Sequence, residues 1–334
     1  MANCNRLFGT FNDQITVSGN RLEKLKDSRM ALQDHLTNYF KKKEGLTTPR
    51  FALQGSYKMK TMVQKESDAT YDVDLGLYFL EKPEVAPATI QGYVWDAVEN
   101  WTGTKPEHRS KCIRVIYAKD YHIDIPVYYK TPSDSHPHLA TKEGWQDSDP
   151  KAFWEWFNQK SDSAGQLKRM IKYLKAWCDA RSFKTPSGVA LTTWTCERFL
   201  ADERDDKALA NLLRQMYTTI TPQCTCQMPV WAFDDLTKKL DLDQKAKFRD
   251  ALKTFSEDAA QAVAEKNQLK ASKLWRKHLG DRFPEGEDKD VDLLESLLRP
   301  MVKAAVAGAA RIDPAGNVNT KEGVPYKPNR NFGG

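Results

Sequence analysis

Apolar residues recur at helical spacing in one long segment near the start of the chain and through most of its second half. Between residues 20 and 43, apolar side chains stand three or four positions apart among charged ones, which predicts a long amphipathic helix. Gly45 and Pro49 follow this segment and are typical of a helix end. The same spacing predicts six further helices, over residues 151–159, 164–181, 187–201, 205–219, 234–266 and 291–309.

Segments typical of β-strands are concentrated in the first half. Residues 50–54 look extended, and Gly55 and Ser56 break the pattern that follows. Residues 71–80 alternate between polar and apolar side chains, as a strand with one buried face does. Residues 111–118 and 121–129 are rich in β-branched and aromatic side chains and predict a hairpin that turns at Lys119 and Asp120.

The separation of strands and helices along the chain predicts an α+β protein with two lobes. We expect a mixed-sheet domain with its N-terminal helix over residues 1–149 and a helical lobe over residues 150–311. Residues 312–334 are rich in Pro, Gly and Asn, and predict a mobile tail.

The composition fits a folded protein of about two domains and narrows its class. The 334 residues are 40% hydrophobic, 10% aromatic and 29% charged, which is enough apolar material for a sizeable core. The longest weakly polar stretch, residues 302–310, is far shorter than the roughly 20 apolar residues of a membrane-spanning helix. The start of the chain has no pattern of a secretory signal, so we expect a cytoplasmic protein that does not bind membranes.

Charge and cysteine content change this picture little. The net charge of +6 suits an anionic ligand such as a nucleotide, although many cytosolic proteins share it. The six cysteines lack the spacing of a disulfide scaffold or a zinc site, which predicts free thiols.

The sharpest chemical feature is a pair of carboxylates on one predicted strand. Asp72 and Asp74 are two positions apart, so both side chains point to the same face. Each is flanked by apolar residues, where an unpaired carboxylate is costly to bury. A divalent cation such as Mg²⁺, which prefers oxygen ligands, would offset that cost.

A third carboxylate and a Gly-Ser turn extend the pattern. Asp124 lies in the apolar segment 121–129, and a strand there beside the first would bring three carboxylates together. Such a cluster suits two metal ions about 3.5–4 Å apart, around a phosphoryl transfer. Gly55 permits close approach of backbone to phosphate, and Ser56 adds a hydroxyl donor.

Each of these features also has an ordinary structural interpretation. A Gly-Ser pair is most often a turn, Asp-x-Asp in a strand is often a surface pair, and a single strand Asp is commonly solvated. His122 shares a strand face with Asp124 and fits a structural histidine better than a nucleotide contact. A Gly-Ser pair after a strand, Asp-x-Asp on the next strand and a single Asp on a later strand are, in this order, typical of nucleotidyltransferases.

The sequence resembles the CD-NTase family of bacterial nucleotidyltransferases, relatives of cGAS and oligoadenylate synthase. The resemblance spans roughly residues 20–310. It is carried by the segments FALQGSYKMKTMVQ, YDVDLGLYF, YHIDIPVYY and LKRMIKYLKAWCDARSFKTPSGVALTTWTCERF. It implies a polymerase-β-like core with an oligoadenylate-synthase-like helical lobe. It also implies template-independent synthesis of a cyclic di- or trinucleotide messenger from nucleoside triphosphates, ATP among them, in the anti-phage defence called CBASS.

The resemblance also implies roles for individual residues. Asp72 and Asp74 would bind two Mg²⁺ ions, for which Mn²⁺ can substitute, and Asp124 would bind the catalytic one and help activate the acceptor hydroxyl. Gly55 and Ser56 would hold the donor triphosphate. In the helical lobe, the resemblance assigns the lysine that reaches the donor phosphates and its hydroxyl partner to Lys172 and Ser187. Lys168 and Lys175 lie about one helical turn away, so the register of that lysine stays open.

The last predictions concern partners and competing functions. The di-glycine end suggests attachment of Gly334 to targets by an E1/E2-like ligase, although an ordinary disordered terminus explains it as well. We expect an effector that binds the product rather than this chain, and no nucleic-acid activator, because residues 20–43 mix acidic and basic side chains. A linear oligoadenylate-type or small-molecule nucleotidyltransferase, or a catalytically idle binding module, are the alternative functions.

Overall fold

The computed structural model describes most of the chain. It covers residues 1–65, 70–117, 120–220 and 224–290, and in the last part residues 303–304, 307, 309, 311–313, 318–319, 321 and 323–325. The helices are α1 Asn5–Ile15, α2 Gly19–Lys41, α3 Gly55–Met59, α4 Pro87–Val98, α5 Pro150–Lys160, α6 Gln166–Asp179, α7 Gly188–Arg198, α8 Asp205–Ile220, α9 Leu242–Ala264 and α10 Gln268–Leu279. The strands are β1 Arg50–Gln54, β2 Tyr71–Phe79, β3 Glu107–His108, β4 Ile113–Tyr117, β5 Tyr121–Ile125, β6 Val127–Tyr129, β7 His138–Thr141, β8 Gly144–Asp147, β9 Arg311–Ile312, β10 Val318–Asn319 and β11 Val324–Pro325.

Strands β1–β8 form one mixed sheet, in which β2 is the central strand. The sheet runs in the order β3-β4-β5-β2-β6-β7-β8, and β1 pairs antiparallel with β2. The first half of β2 pairs parallel with β5 and its second half parallel with β6. The neighbouring pairs β4–β5 and β7–β8 are antiparallel, so the α+β class predicted from the sequence is confirmed.

The sheet has one apolar face and one polar face near its centre. In β2, Tyr71, Val73 and Leu75 are buried in a core cluster, whereas the residues between them point the other way. Helix α2 covers the apolar face with buried residues at helical spacing, Leu25, Leu32, Leu36 and Phe40. The alternation along β2 therefore places its polar side chains on the face opposite α2.

The helical lobe has a core of its own, and α1 belongs to it. Residues of α6 to α10 pack together around Trp177, Trp194 and Trp275. Phe8 of α1 is fully buried there, with its ring 4.9 Å from that of Trp275. The start of the chain thus packs with its second half, although the predicted domain division grouped it with the sheet.

The predicted elements agree with the structure where their periodicity is long. The predicted strand 50–54 and helix 20–43 correspond to β1 and α2. The predicted helix 234–266 begins later, at Leu242, because Asp241 forms a capping box with Gln244 there. Helices α1, α4 and α10 were not predicted, and the predicted helix 291–309 and tail lie largely outside the described residues.

No helix among the described residues has both the length and the apolar character needed to cross a membrane. The six cysteines are all buried and unpaired, as the sequence predicted.

Candidate active site

The three predicted carboxylates lie on the polar face of the sheet. Strands β2 and β5 run parallel in a register that places Asp72 beside His122 and Asp74 beside Asp124. The parallel pairing supplies what the sequence could not show, that the two strands are direct neighbours. Asp72, Asp74 and Asp124 therefore share one face, as predicted.

Arg114 of β4 reaches across this face to two of the carboxylates. Its Nε donates to Oδ1 of Asp124 at 2.7 Å and its Nη2 to Oδ2 at 2.8 Å, a bidentate pair. The same guanidinium lies 3.4 Å from Oδ1 of Asp72, whose other neighbour is Nδ1 of His122 at 3.0 Å. The sequence reasoning did not single out Arg114, which neutralises part of the acidic face.

Asp74 is the carboxylate with the most unfavourable surroundings. Its burial, and then the charges of Asp124 and Asp72, raise its pKa to about 7, while Arg114 and Lys175 act in the opposite direction. Groups of like charge that are held together in this way are stabilised by a bound cation. Carboxylate oxygens are also the ligands that Mg²⁺ prefers. The chemistry of these donors thus suits a divalent ion, with Asp72, Asp74 and Asp124 as the candidate ligands, although the described side chains do not bring one oxygen of each within 4.8 Å of the other two.

Gly55 lies against Asp74 in a conformation that few other residues adopt. Its φ angle is +62°, and a Cβ built at this position would stand 1.9 Å from Oδ2 of Asp74. Glycine therefore allows the turn from β1 into α3 to pass directly over the carboxylate. Ser56 follows as the next residue of α3, with its backbone oxygen bonded to the N–H of Thr61 at 2.9 Å.

A cavity of about 340 Å³ lies between the sheet and the helical lobe. Ser56 and Asp72 line it from the sheet side, and Lys175 of α6 lines it from the helical side. A second cavity of about 400 Å³ is lined by Gly55, Asp74 and Asp124. The row of carboxylates thus borders two cavities.

Of the lysines of α6 that were candidates for the phosphate site, Lys175 is the one that lines the first cavity. Its Nζ donates to the backbone oxygen of Thr61 at 3.0 Å and lies 3.1 Å from the Thr61 hydroxyl. Burial lowers the pKa of Lys175 to about 8, although the negative charge of Asp74 partly opposes this shift. Sequence reasoning placed this lysine among three candidates one turn apart but favoured another.

Lys172, the lysine that the resemblance implied, does not line this cavity. Its Nζ donates to the hydroxyl of Thr16 at 3.0 Å. Residues three apart on a helix differ by about 60° in direction. This difference is enough to direct the Lys172 side chain away from the cavity that Lys175 lines. The structure thus puts Lys175, and not Lys172, opposite the carboxylates.

Ser187 acts as the N-cap of α7. Its hydroxyl accepts a hydrogen bond from the N–H of Ala190 at 3.3 Å, and the side chain is exposed. Its neighbours Pro186 and Gly188 line the first cavity. Ser187 is therefore close to the predicted phosphate site, while Gly334 lies outside the described residues.

In the comparisons with known proteins, part of the chain matches a nucleotidyltransferase family and curated relatives of the same description. Residues 49–128 match the model of the family described as "Cyclic GMP-AMP synthase DncV-like, nucleotidyltransferase domain". A cyclic GMP-AMP synthase of Escherichia albertii is 31% identical over 174 residues, which are 47% of this chain and 39% of that protein. The chain thus matches about two fifths of the length of that relative.

Solved structures show the same fold over more of the chain. Vibrio cholerae DncV in complex with nonhydrolyzable GTP superposes with a TM-score of 0.75 at 19% identity, covering 87% of this chain and 99% of that one. The same enzyme with the linear intermediate 5′ pppA(3′,5′)pG superposes with a TM-score of 0.72 at 20% identity, covering 85% and 97%. These likenesses confirm the predicted nucleotidyltransferase fold with its helical lobe, and residues 49–128 match the DncV-like nucleotidyltransferase domain.

Proposed function

We propose that the protein is a template-independent nucleotidyltransferase that joins two nucleoside triphosphates into a cyclic dinucleotide. The observation that carries this proposal is the in-register pair of Asp74 and Asp124 beside Asp72, on a face that borders two cavities. Two cavities that meet at one row of carboxylates suit two nucleotides whose reacting groups meet there. The relatives described as cyclic GMP-AMP synthases, and the related structure with a linear dinucleotide, support this class of product.

The first cavity suits the triphosphate of the donor nucleotide. Ser56 offers a hydroxyl, and Lys175 and Lys65 offer positive charge. Lysine acts on phosphates as a compact point charge with three donors. We assign to Lys175 the role that the resemblance implied for Lys172, with Ser187 and the start of α7 nearby.

Asp72, Asp74 and Asp124 would hold the metal, which we propose to be two Mg²⁺ ions, or Mn²⁺ in their place. When bound, such ions neutralise phosphate charge and lower the pKa of the attacking hydroxyl. Arg114 donates one hydrogen bond to each Asp124 oxygen. Each of these oxygens has a second lone pair that an ion could use, so Arg114 could orient Asp124 while an ion is held there.

The reaction that this arrangement supports is an in-line displacement at phosphorus, carried out twice. The acceptor hydroxyl attacks the α-phosphorus of the donor, a new P–O bond forms, and the bond to pyrophosphate breaks. We assign to Asp124 the role of taking up the hydroxyl proton, as the resemblance implies. A hydroxyl of the donor nucleotide then attacks the triphosphate that remains on the acceptor nucleotide. This second displacement releases a second pyrophosphate and closes the ring. Positioning and charge neutralisation supply most of the catalysis in such reactions.

Product analysis tests the proposal directly. The purified full chain is incubated with all four nucleoside triphosphates and Mg²⁺ or Mn²⁺, treated with phosphatase, and examined by mass spectrometry. We expect a phosphatase-resistant product at the mass of a cyclic dinucleotide, absent from a folded Asp72→Ala/Asp74→Ala variant. A phosphatase-sensitive linear product would favour the oligoadenylate-type alternative, and equal product from the variant would contradict the site.

The two lysines of α6 allow a matched test of the phosphate site. Lys175→Met and Lys172→Met remove the same group from the same helix, three residues apart. We expect Lys175→Met to lower kcat/KM by about 10²-fold, as loss of one transition-state contact does, and Lys172→Met to change it less than about threefold. The reverse order would restore Lys172 to the role that the resemblance implied.

Several further predictions rest on the resemblance and on features of the sequence. These are a trinucleotide product, a place in anti-phage defence, an effector that binds the product, an E1/E2-like ligase acting on Gly334, and a location in the bacterial cytoplasm. They stay predictions.

A further inference from the structure

Two histidines and an aspartate meet at the far edge of the sheet, away from the row of catalytic carboxylates. His138 begins β7 and stands directly opposite Asp147 in β8, and His136 precedes β7 by two residues. Among the described residues, these three form the group whose possible metal-ligand atoms all lie within 4.8 Å of one another. None of these three residues lines the two cavities beside the carboxylates.

The distances within this group are those of a metal site. Oδ1 of Asp147 lies 3.0 Å from Nε2 of His136 and 3.0 Å from Nδ1 of His138. Ligand atoms of a tetrahedral zinc site with bonds of about 2.0–2.1 Å are roughly 3.3 Å apart. The two nitrogen–oxygen distances are therefore within a few tenths of an ångström of those in such a site, and the two nitrogens lie within 4.8 Å of one another.

The surroundings of the Nε2 atom of His136 also support a metal site here. This nitrogen is buried, and within the described part of the chain it makes no well-aligned hydrogen bond, although the Asp147 oxygen is close. A buried nitrogen without such a bond is costly in a folded protein. A metal ion would use its lone pair.

The other nitrogens of both rings have polar neighbours, as metal-bound histidines usually do. Nδ1 of His136 lies 2.8 Å from the hydroxyl of Ser135, and Nε2 of His138 lies 3.7 Å from Oδ1 of Asp134. Such outer contacts fix the tautomer and aim the opposite nitrogen at the ion. Here they leave Nε2 of His136 and Nδ1 of His138 to face Asp147.

Aromatic rings hold the two imidazoles in place. His138 stacks on Tyr129 with ring centroids 4.7 Å apart, and His136 stacks on Trp231 at 4.5 Å. Trp231 belongs to a loop closed by the hydrogen bond from Met228 N–H to the Asp234 oxygen, and this loop is anchored in the helical lobe by the buried Cys226. An ion on His136 would therefore also steady a contact between the sheet and the helical lobe.

We propose that His136, His138 and Asp147 form a binding site for one divalent transition-metal ion, with zinc as the best fit. Imidazole nitrogens favour zinc and its neighbours over magnesium, which takes oxygen ligands. Asp147 is 41% exposed, which leaves room for water as a fourth ligand. The site is structural and separate from the oxygen-only site at Asp72, Asp74 and Asp124.

Direct metal binding by the full chain tests this site. After chelation and removal of the chelator, Zn²⁺ is titrated by calorimetry and Co²⁺ by visible absorption, with excess Mg²⁺ present to fill the catalytic carboxylates. We expect one equivalent of Zn²⁺, a Co²⁺ spectrum typical of low coordination number, and a rise of Tm with Zn²⁺ concentration. His138→Ala and His136→Gln should each weaken binding by at least about tenfold.

Two controls and one replacement variant make the outcome decisive. His108→Gln removes an exposed histidine outside the group and should bind Zn²⁺ as the parent does. The Asp72→Ala/Asp74→Ala variant should also bind normally, which separates this site from the proposed catalytic function. If His138→Ala does not fold, Asp147→Asn replaces it as the second test. No binding by the parent chain, or equal binding by the parent and the folded histidine variants, would overturn the proposal.

Discussion

The two lobes bury aspartates in opposite ways. In the helical lobe, Asp205 accepts hydrogen bonds from Arg169 at 2.7 and 2.8 Å, from Tyr173 at 2.8 Å and from Gln166 at 2.9 Å. Burial acts to raise the pKa of Asp205, but these donors together hold that pKa below its ordinary value. In the sheet lobe, the neighbours of Asp74 include two more carboxylates, and its pKa is raised to about 7.

The difference separates a structural charge from a functional one. Asp205 is matched by donors from within the chain, so its charge holds α6 and α8 together. The carboxylates around Asp74 lie beside one another, and Arg114, Lys65 at 3.9 Å from Asp72, and Lys175 offset their charge only in part. Like charges held together in this way lower the stability of the protein alone and favour a cation from solution.

The largest effect should be seen on activity. Asp74→Asn keeps the size of the side chain but removes a negative ligand from the candidate metal site. A metal ion contributes several kcal/mol to the stabilisation of a phosphoryl-transfer transition state, so we expect product formation to fall by about 10³-fold or more. The measurement is the initial rate of pyrophosphate release at saturating Mg²⁺, with the circular dichroism spectrum as a check of folding. Retention of more than a tenth of the parent rate would remove Asp74 from the site.

Removal of the matched aspartate should instead reduce stability. Asp205→Ala removes the carboxylate partner of the Arg169 guanidinium and leaves the Tyr173 hydroxyl with the backbone oxygen of Phe8 as its acceptor. Breaking a buried ion pair costs about 3–5 kcal/mol. Denaturant unfolding measures this loss. The control is Asp243→Ala, because Asp243 forms an ion pair with Lys247 at 2.7 Å but is 71% exposed. Such a pair contributes at most about 1 kcal/mol, and equal losses in the two variants would contradict the distinction.

The pH dependence of stability should distinguish Asp74 from other acids. In the unfolded chain its carboxyl ionises near pH 4, whereas in the folded, metal-free protein it stays protonated up to about pH 7. Its contribution to stability is therefore present below pH 4 and is lost as pH rises to 7. The side chain introduced by Asp74→Asn does not titrate. In EDTA, the free energy of unfolding of the variant should therefore rise relative to that of the parent between pH 4 and 7, by at most about 4 kcal/mol.

Metal should reverse that advantage. At pH 8, Mg²⁺ should raise the Tm of the parent and leave the Tm of Asp74→Asn nearly unchanged. A constant difference between the two proteins from pH 4 to 8 in EDTA would show that Asp74 is not held in the neutral form.

The smallest of these effects concerns the glycine above Asp74. Gly55→Ala adds a Cβ that overlaps Oδ2 of Asp74 and forces an alanine to a φ of +62°. The left-handed conformation costs about 1–2 kcal/mol, and the displaced carboxylate should lower activity by up to about 10²-fold. Gly92→Ala in α4, where nothing lies within 4 Å of the added atom, is the control and should leave both rate and Tm near those of the parent. Activity and Tm of both variants decide the matter.

The parts of the molecule that could be predicted are those with a local signature. The alternation in residues 71–80 and the long helical period of residues 20–43 depend on nearest neighbours along the chain, and the corresponding β2 and α2 were found there. The placement of Asp72, Asp74 and Asp124 on one face also followed from strand geometry. Helix α1 was missed because its few apolar residues are buried by partners more than 150 positions away.

The site residues that could not be predicted share one property. Their role depends on where their side chains point in the folded protein. Arg114 is an ordinary charged residue of the predicted hairpin until β5 is known to pair with β2, which brings Asp72 as well as Asp124 within reach of its guanidinium. The choice between Lys172 and Lys175 depends on which side of α6 faces the sheet, and the sequence shows the same amphipathic pattern for both. His136, His138 and Asp147 come together only through the register of β7 and β8.

The position of α1 has a consequence for folding during synthesis. Phe8 and Phe11 are buried against Phe283, so the core of the helical lobe cannot close until that part of the chain has been made. At about 5–20 residues per second, the ribosome needs roughly 15–55 s for the intervening chain. During this time Phe8 and Phe11 lack the partner that buries them in the folded protein. The sheet lobe, whose strands and α2 are complete once residue 147 has been synthesised, can fold before its neighbour.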